Sequence, residues 1–299
     1  MSNSLKTSVA LEEEVKTSDS VFNAIIGYFI PNYNATNVAV LRLEGLIGDV
    51  SRFKSSLKFS HINQLIEKTF KVRNLQAVFL VINSPGGSPV QSELIASRII
   101  NLSKEKNIPV YSFVEDIAAS GGYWLACAGE QIFASKNSII GSIGVTYTGF
   151  GFTKLIDKLG VERRIFTQGK NKSVLDPFVP TKESDIELIQ DIQKDIHKNF
   201  IEYIMSRRGG KINQSKGDLF QGNFWSGERS LSLGLIDGIE DIFSFIKKKY
   251  PSSNIKYMEG KKSWFKDKLG LQYQNLDPLS LNLIKLLENQ EQDNRFKFF

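Results

Sequence analysis

The sequence predicts an α/β protein with a mainly parallel sheet. Three apolar runs, at residues 38–43, 77–82 and 110–114, have the length and continuous hydrophobicity of strands buried on both faces. Segments with helical spacing of apolar residues, 61–72 and 89–104, lie between them. Because strands and helices alternate at this spacing, we expect crossover connections and therefore parallel neighbours.

The elements after the third strand are shorter until one long helix. We predict a helix over residues 121–128, strands over 132–135 and 139–146, a helix over 153–159 and a strand over 163–167. A loop then leads to the longest helix, residues 182–207, which stops at two glycines. A short helix between glycines is expected within residues 222–238.

The chain divides into one core and two appended segments. We expect the α/β domain over residues 35–256, a polar tail with a short apolar docking segment over 1–34, and a partly helical extension over 257–299 with a helix at 279–287. The apolar run at 21–31 is about half of the roughly 20 residues that a spanning helix needs. No transmembrane helix and no signal peptide are predicted, since acidic residues stand where a basic leader would begin.

Composition restricts the chemistry. The chain has 299 residues, a net charge of +6, one cysteine (Cys127) and two histidines (His61 and His197). One cysteine cannot form an intramolecular disulfide, and these three side chains cannot supply most zinc ligand sets. We therefore predict no metal and no cofactor. The basic residues are interspersed with acids, so nucleic acid is not an expected partner.

Two glycine pairs follow apolar strands and precede helices. The first, Gly86-Gly87, offers backbone amides to a phosphate, a carboxylate or an oxyanion, or simply provides a turn with positive φ. The second follows a serine, in Ser120-Gly121-Gly122. Ser120 is a candidate nucleophile at a strand-to-helix turn, or alternatively only a helix cap.

A nucleophilic serine needs a base. His61 and His197 lie in amphipathic helices whose polar faces explain them. A lysine can serve if it is largely desolvated, because an ordinary ammonium group does not accept a proton at neutral pH. Lys172 lies among uncharged residues in a loop and suits this role better than the helical lysines. The Ser-x-x-Lys patterns beginning at Ser55 and Ser253 lack their partner motifs and are attributed to chance.

Several motifs in order resemble one family. They are Asn-Ser-Pro-Gly-Gly at 83–87, Ala-Ser-Gly-Gly-Tyr at 119–123, Gly-Ser-Ile-Gly-Val at 141–145, Gly-Lys-Asn-Lys at 169–172 and a Gly-Leu-Ile-Asp ending at 234–237. Together they resemble the signal peptide peptidase A family, the S49 serine peptidases.

The resemblance implies a Clp protease/crotonase-like fold with a repeated β-β-α superhelical core. It also implies a Ser-Lys dyad, in which Ser120 is the nucleophile and Lys172, rather than Lys170, is the general base. Ser142 matches a hydroxyl that orients the lysine amine. The residues expected at or near the oxyanion hole are Gly86, Gly87 and Gly121.

The implied activity is endopeptidase cleavage, through an acyl-enzyme, of hydrophobic peptides such as signal-peptide remnants or membrane-protein segments. Family resemblance further implies a substrate bound as an extended strand and a homo-oligomeric ring. Typical bacterial members of this family have an N-terminal membrane anchor, whereas the corresponding region of this sequence offers only the short apolar run at residues 21–31. The expected location is therefore cytoplasmic, or peripheral at the bacterial inner membrane.

Two other functions stay open. A crotonase-like enzyme acting on acyl-CoA thioesters would use the same glycine amides to hold an enolate, and it predicts Glu or Asp beside the glycine turns. An inactive, ring-forming scaffold would keep the fold without the chemistry.

Overall fold

The computed structural model describes residues 35–48, 56–213 and 218–259. Several predictions lie outside the described residues: the N-terminal tail with its apolar segment at 21–31, Ser55 of the first Ser-x-x-Lys pattern, and, from residue 260 on, the C-terminal extension predicted over 257–299 with its helix at 279–287.

Strands and helices alternate through the first half of the described chain. The strands are β1 (Asn37–Glu44), β2 (Leu75–Ser84), β3 (Val110–Ala119), β4 (Gln131–Ala134), β5 (Ile139–Gly141), β6 (Phe224–Ser226), β7 (Gly238–Ile239) and β8 (Asn254–Met258). The helices are α1 (Phe59–Thr69), α2 (Pro89–Lys106), α3 (Gly121–Ala126), α4 (Thr153–Lys158), α5 (Glu183–Arg208), α6 (Gly227–Ser232) and α7 (Ile242–Lys249).

The described strands form one sheet in the order β6-β5-β3-β2-β1-β8, and β4 pairs with β3 and with β7. Every pairing is parallel except that of β5 with β6. The predicted α/β class with a mainly parallel sheet is confirmed.

Strand β3 pairs with two strands in succession. Its residues 111–114 pair with β4 and its residues 117–119 pair with β5. The carboxyl end of β3 therefore lies beside the carboxyl end of β5, which sets the position of the site described below.

Alternate side chains of the central strands enter two separate cores. Leu41 and Leu80 point into the core formed with α1, α2, α3 and α5, whereas Val40 and Phe79 point into an aromatic core covered by α7. This alternation is the two-residue period of a strand covered on both faces. Each fully buried large apolar side chain contributes about 1.5–3 kcal/mol to folding.

The second half departs from the predicted elements. The strand predicted at 163–167 is wrong, because no described strand pairs with these residues. Strand β5 ends at Gly141 rather than at residue 146, since the next residue has a positive φ of 54°. The Ser-x-x-Lys pattern at 253–256 lies mostly in β8, which the sequence analysis did not predict. Among the described residues, no helix is both long and apolar enough to cross a membrane.

Candidate active site

Ser120 occupies a strained turn between β3 and α3. Its backbone has φ 52° and ψ −122°, a conformation that is costly for any residue with a side chain and that is typical of functional sites. The Ser120 amide donates to the Gly141 carbonyl (2.8 Å), while its side chain makes no capping hydrogen bond. A simple helix-cap role therefore does not explain this serine, whose strand-turn-helix setting matches that of a nucleophile elbow.

Ser142 reaches the same edge of the sheet from the neighbouring strand. Ala119 pairs with Gly141, so Ser120 and Ser142 each follow the last paired residue of two adjacent parallel strands. Both serines have positive φ, 52° and 54°. The Ser142 amide donates to the Asn223 backbone carbonyl (2.6 Å). The structure thus brings these two predicted site residues to adjacent strand ends.

Gly86 packs directly against the Ser120 turn. Its φ is +102°, and a Cβ there would lie 2.9 Å from the Ser120 Cβ and 2.7 Å from the Ala119 carbonyl oxygen. The Gly86 amide already donates to the buried Ser84 hydroxyl (3.2 Å). Gly86 therefore contributes close backbone approach rather than a free donor.

The amides of Gly87 and Gly121 suit an oxyanion hole better. A Cβ on Gly121 would lie 3.4 Å from the Gly87 nitrogen, so the two backbones are close neighbours, and a Cβ on Gly87 would collide with the Ile47 carbonyl. Within the described parts of the chain, neither amide donates to a protein acceptor. Two free, adjacent N–H groups beside a serine are the donors that acyl transfer requires.

The acyl-CoA alternative expects a carboxylate next to these glycines. Among the described residues, the three atoms nearest to a Cβ placed on Gly86, Gly87 or Gly121 belong to Ile47, Ser92, Gly87 and residues 119–121, so no carboxylate makes these closest contacts.

Helix α3 is held from the side by α5. The Trp124 ring stacks on Phe200 (4.7 Å between centroids) and on Tyr203 (4.9 Å). The Tyr203 hydroxyl donates to the Trp124 carbonyl (3.1 Å), and Arg207 donates to the Cys127 carbonyl (2.8 Å), which lies at the end of α3. These contacts fix the helix that begins immediately after Ser120. The sequence analysis assigned no role to these α5 residues, although their spacing of three, four and seven places them on one helix face.

A buried ion pair holds the Gly-Leu-Ile-Asp motif at 234–237. Arg208, with a side chain only 1% exposed, pairs with Asp237, which also accepts from Lys211 and from the Ile132 amide (2.7 Å for each). Burial would raise the pKa of Asp237, but the hydrogen bonds from Lys211, Ile132 and Arg208 outweigh it and hold that pKa below its ordinary value. Asp237 ends the Gly-Leu-Ile-Asp motif, which could have pointed to this role.

The Gly-Leu-Ile-Asp motif at 234–237 contacts α3 directly. The buried Tyr123 hydroxyl donates to the Leu235 carbonyl (2.8 Å). Because Tyr123 and Trp124 both belong to α3, that six-residue helix is tied to the 234–237 motif on one side and to α5 on the other.

Lys172 lies in a very different environment. Residues 146–182, which we call the lysine arm, are all exposed or half-buried, and Lys172 and Lys170 are both exposed. Among the described residues, no hydrogen bond joins Lys172 to Ser120 or Ser142. The sequence analysis expected a desolvated lysine, whereas Lys172 is exposed in the single chain.

The other candidate residues do not form a competing site. His61 is exposed on α1, and His197 lies half-buried within α5. Cys127 is fully buried, and burial raises the pKa of its thiol to about 12, so a reactive thiolate is disfavoured. The described residues contain no group of three or more His, Cys, Asp or Glu side chains that could hold a metal ion.

Comparisons with known proteins identify a family. The model of peptidase family S49 matches residues 103–256. The chain is 48% identical to a Brucella melitensis protein named Na(+)/H(+) antiporter NhaA, over 72% of this chain and 29% of that protein. It is 32% identical to the chloroplastic serine protease SPPA of Arabidopsis thaliana, over 68% of this chain and 30% of that protein.

A third relative is protease 4 of Haemophilus influenzae, which is 32% identical over 70% of this chain and 34% of that protein. The chain thus spans about a third, or slightly less, of the length of these three relatives.

Proposed function

Since the chain belongs to peptidase family S49, we propose that it is a serine endopeptidase in which Ser120 is the nucleophile and Lys172 is the general base. The observation that carries the proposal is the strained Ser120 turn, with the free amides of Gly87 and Gly121 beside it. A serine held in this way needs no rearrangement to present its hydroxyl to a carbonyl group.

The proposed reaction is acyl transfer. The Ser120 oxygen attacks a peptide carbonyl carbon as the neutral Lys172 amine takes the hydroxyl proton, and the Gly87 and Gly121 amides donate to the resulting oxyanion. The lysine returns that proton to the leaving amine, which breaks the peptide bond and leaves an acyl-Ser120 ester. Water, deprotonated by Lys172, then hydrolyses the ester. In this scheme the Ser142 hydroxyl orients the lysine amine.

We also propose that a second copy of the chain covers the lysine arm, within a homo-oligomeric ring. A lysine base must be shielded from water, yet Lys172 is exposed here. The arm also carries large apolar side chains that a single chain leaves in solvent, including Phe150 (81% exposed) and Phe166 (93%). Large apolar side chains exposed along one segment suit an interaction surface.

The proposed substrates are hydrophobic peptides, such as signal-peptide remnants or membrane-protein segments, bound as extended strands. Backbone groups of Gly87 and Gly121 line the approach to Ser120, and a peptide main chain can use such groups. Peripheral association with a membrane stays a prediction.

Covalent labelling tests the dyad. A serine-reactive acylating probe should label the wild-type protein at Ser120, fail to label Ser120→Ala, and label Lys172→Ala at least 100-fold more slowly, a size typical of general-base loss. Lys170→Ala is the matched control and should react like the wild type. Unchanged labelling of Ser120→Ala would remove Ser120 as the nucleophile, and an unreactive wild-type oligomer would favour the inactive scaffold.

A further inference from the structure

Asp185 is unusual within a long exposed stretch. Between Ile143 and Phe200 every residue is exposed or half-buried except Asp185, which is 8% exposed. The Asp176 side chain is also only 9% exposed, but it forms an ion pair with Arg163. Carboxylates are rarely buried unless they are paired or hydrogen-bonded. An acid in the first turn of a helix is favoured by the helix dipole, but Glu183 has that advantage while remaining exposed. The burial of Asp185 therefore needs another cause.

That cause is a contact with the lysine arm. The Leu175 amide donates to the Asp185 carboxylate (3.2 Å). Leu175 has a φ of 52°, a left-handed conformation that a branched side chain adopts only when its surroundings hold it there. Lys172 lies three residues earlier, in the turn closed by its amide and the Gly169 carbonyl (3.3 Å). Asp185 thus fixes the end of the short segment that carries the lysine.

The same helix holds the nucleophile. Tyr203, which donates to the Trp124 carbonyl, lies 18 residues after Asp185, and 18 residues make five turns of an α-helix. Both side chains therefore lie on one face of α5. Its beginning contacts the lysine segment, and its end contacts the helix that follows Ser120.

We propose that Asp185 is a positioning residue, which holds the Lys172 segment in its catalytic geometry through the Leu175 amide. The inference rests on the proposed Ser120–Lys172 dyad. It is the same whether Lys172 serves Ser120 of its own chain or Ser120 of a second copy, because the Asp185–Leu175 contact lies within one chain. A displacement of about 1 Å at a catalytic group costs on the order of 100-fold in rate.

Steady-state kinetics on the full chain test this role. Asp185→Leu fills the buried position with a side chain that cannot accept from the Leu175 amide, and circular dichroism checks that this variant is folded. We expect it, and Asp185→Ala, to lower kcat about 10- to 100-fold while KM stays within about twofold. Asp185→Asn keeps an amide oxygen that can accept from Leu175 and should recover most of kcat. Asp191→Asn is the matched control, because Asp191 is an exposed acid on the same helix.

A double-mutant cycle separates positioning from general destabilisation. If Asp185 acts through Lys172, adding Asp185→Leu to Lys172→Ala lowers the rate of Ser120 acylation no further. An equal additional loss in that background, or wild-type kcat in Asp185→Leu, overturns the inference. Full activity in Lys172→Ala would overturn the dyad itself, whereas an inactive Lys172→Ala beside a fully active Asp185→Leu overturns only the role of Asp185.

Discussion

The Ser120 turn and the lysine arm are two halves of one proposed site with opposite physical character. Around Ser120, residues 121–129 are all buried, and backbone, aromatic and ionic contacts hold them. The arm is exposed or half-buried along its whole length, and its Arg164–Glu162 ion pair is about 70% exposed on both sides. The serine half is therefore preorganised within a single chain. The segment that carries Lys172 has a defined local geometry, but Lys172 is exposed, whereas the proposed general base must be shielded from water.

The largest expected difference between the two regions is in how much a substitution lowers the free energy of unfolding. Arg208→Leu removes one partner of a buried ion pair and should lower the free energy of unfolding by about 3–5 kcal/mol. Arg164→Leu removes an arm pair, with Glu162, whose side chains are about 70% exposed, and should cost less than about 1 kcal/mol. Urea denaturation of both variants measures this, and equal losses would contradict the contrast between the two regions.

The next largest expected difference is in the effect of replacing a glycine by alanine in each region. Gly86→Ala places a Cβ 2.9 Å from that of Ser120 at a φ of +102°, so we expect kcat to fall about 100-fold or more. Gly160→Ala, in the arm, also has a positive φ, +65°, but meets open space. It should cost about 1 kcal/mol of stability and leave activity unchanged. Peptidase assays on both variants decide this, and wild-type activity in Gly86→Ala would show that the turn tolerates displacement.

A surface substitution tests whether the arm is covered in solution. Phe166→Asp should leave the unfolding free energy within about 0.5 kcal/mol, because this side chain is 93% exposed in the single chain. If a second copy covers the arm, the variant should sediment as smaller species and lose activity about tenfold at low protein concentration, because a buried charge weakens the interface. Phe243→Asp, on α7, is the control and should do neither. Unchanged size and activity in Phe166→Asp would argue against assembly through this side chain.

The smallest expected effect is on the stability of the protein at acidic pH. The pKa of Asp237 is lowered in the folded protein, so its stabilising contribution is complete above the pKa of about 4 of an unfolded aspartate and is lost as the pH falls through the lowered value. Stability measured between about pH 5 and pH 2 should therefore fall more steeply in the wild type than in Asp237→Asn. Parallel curves would show that other carboxylates determine the acid response.

The buried half of the molecule was largely predictable from the sequence. Continuous apolar runs identified β1, β2 and β3, and the serine between two small residues and two glycines marked the turn at Ser120. These signals are local: a strand buried on both faces must be apolar, and a strained turn requires small neighbours. The long helix α5 was found for the same reason, from its periodicity.

The remaining elements depend on partners that are distant in sequence. Strand β7 has only two residues, and it is a strand because it pairs with β4. Strand β8 was not predicted because its segment is polar, and it forms by pairing with β1. Residues 163–167 have a strand-like composition but pair with no strand in the described part of the chain. The roles of Arg208 and Asp185 were equally invisible, since each rests on a contact made only after folding. The sequence analysis expected a desolvated Lys172 because its neighbours are uncharged, whereas Lys172 is exposed in the described chain. Burial depends on tertiary contacts, which the neighbouring residues do not specify.

Helix α5 sets the distance between two contacts. Its 26 residues span about 39 Å, and the two positions that contact the lysine segment and α3 are separated by a whole number of turns. Inserting a single residue between Asp185 and Tyr203 would rotate one contact by about 100° relative to the other, although every side chain in between were retained. The separation of the two contacts therefore depends on the number of residues between them, and not only on which side chains they carry.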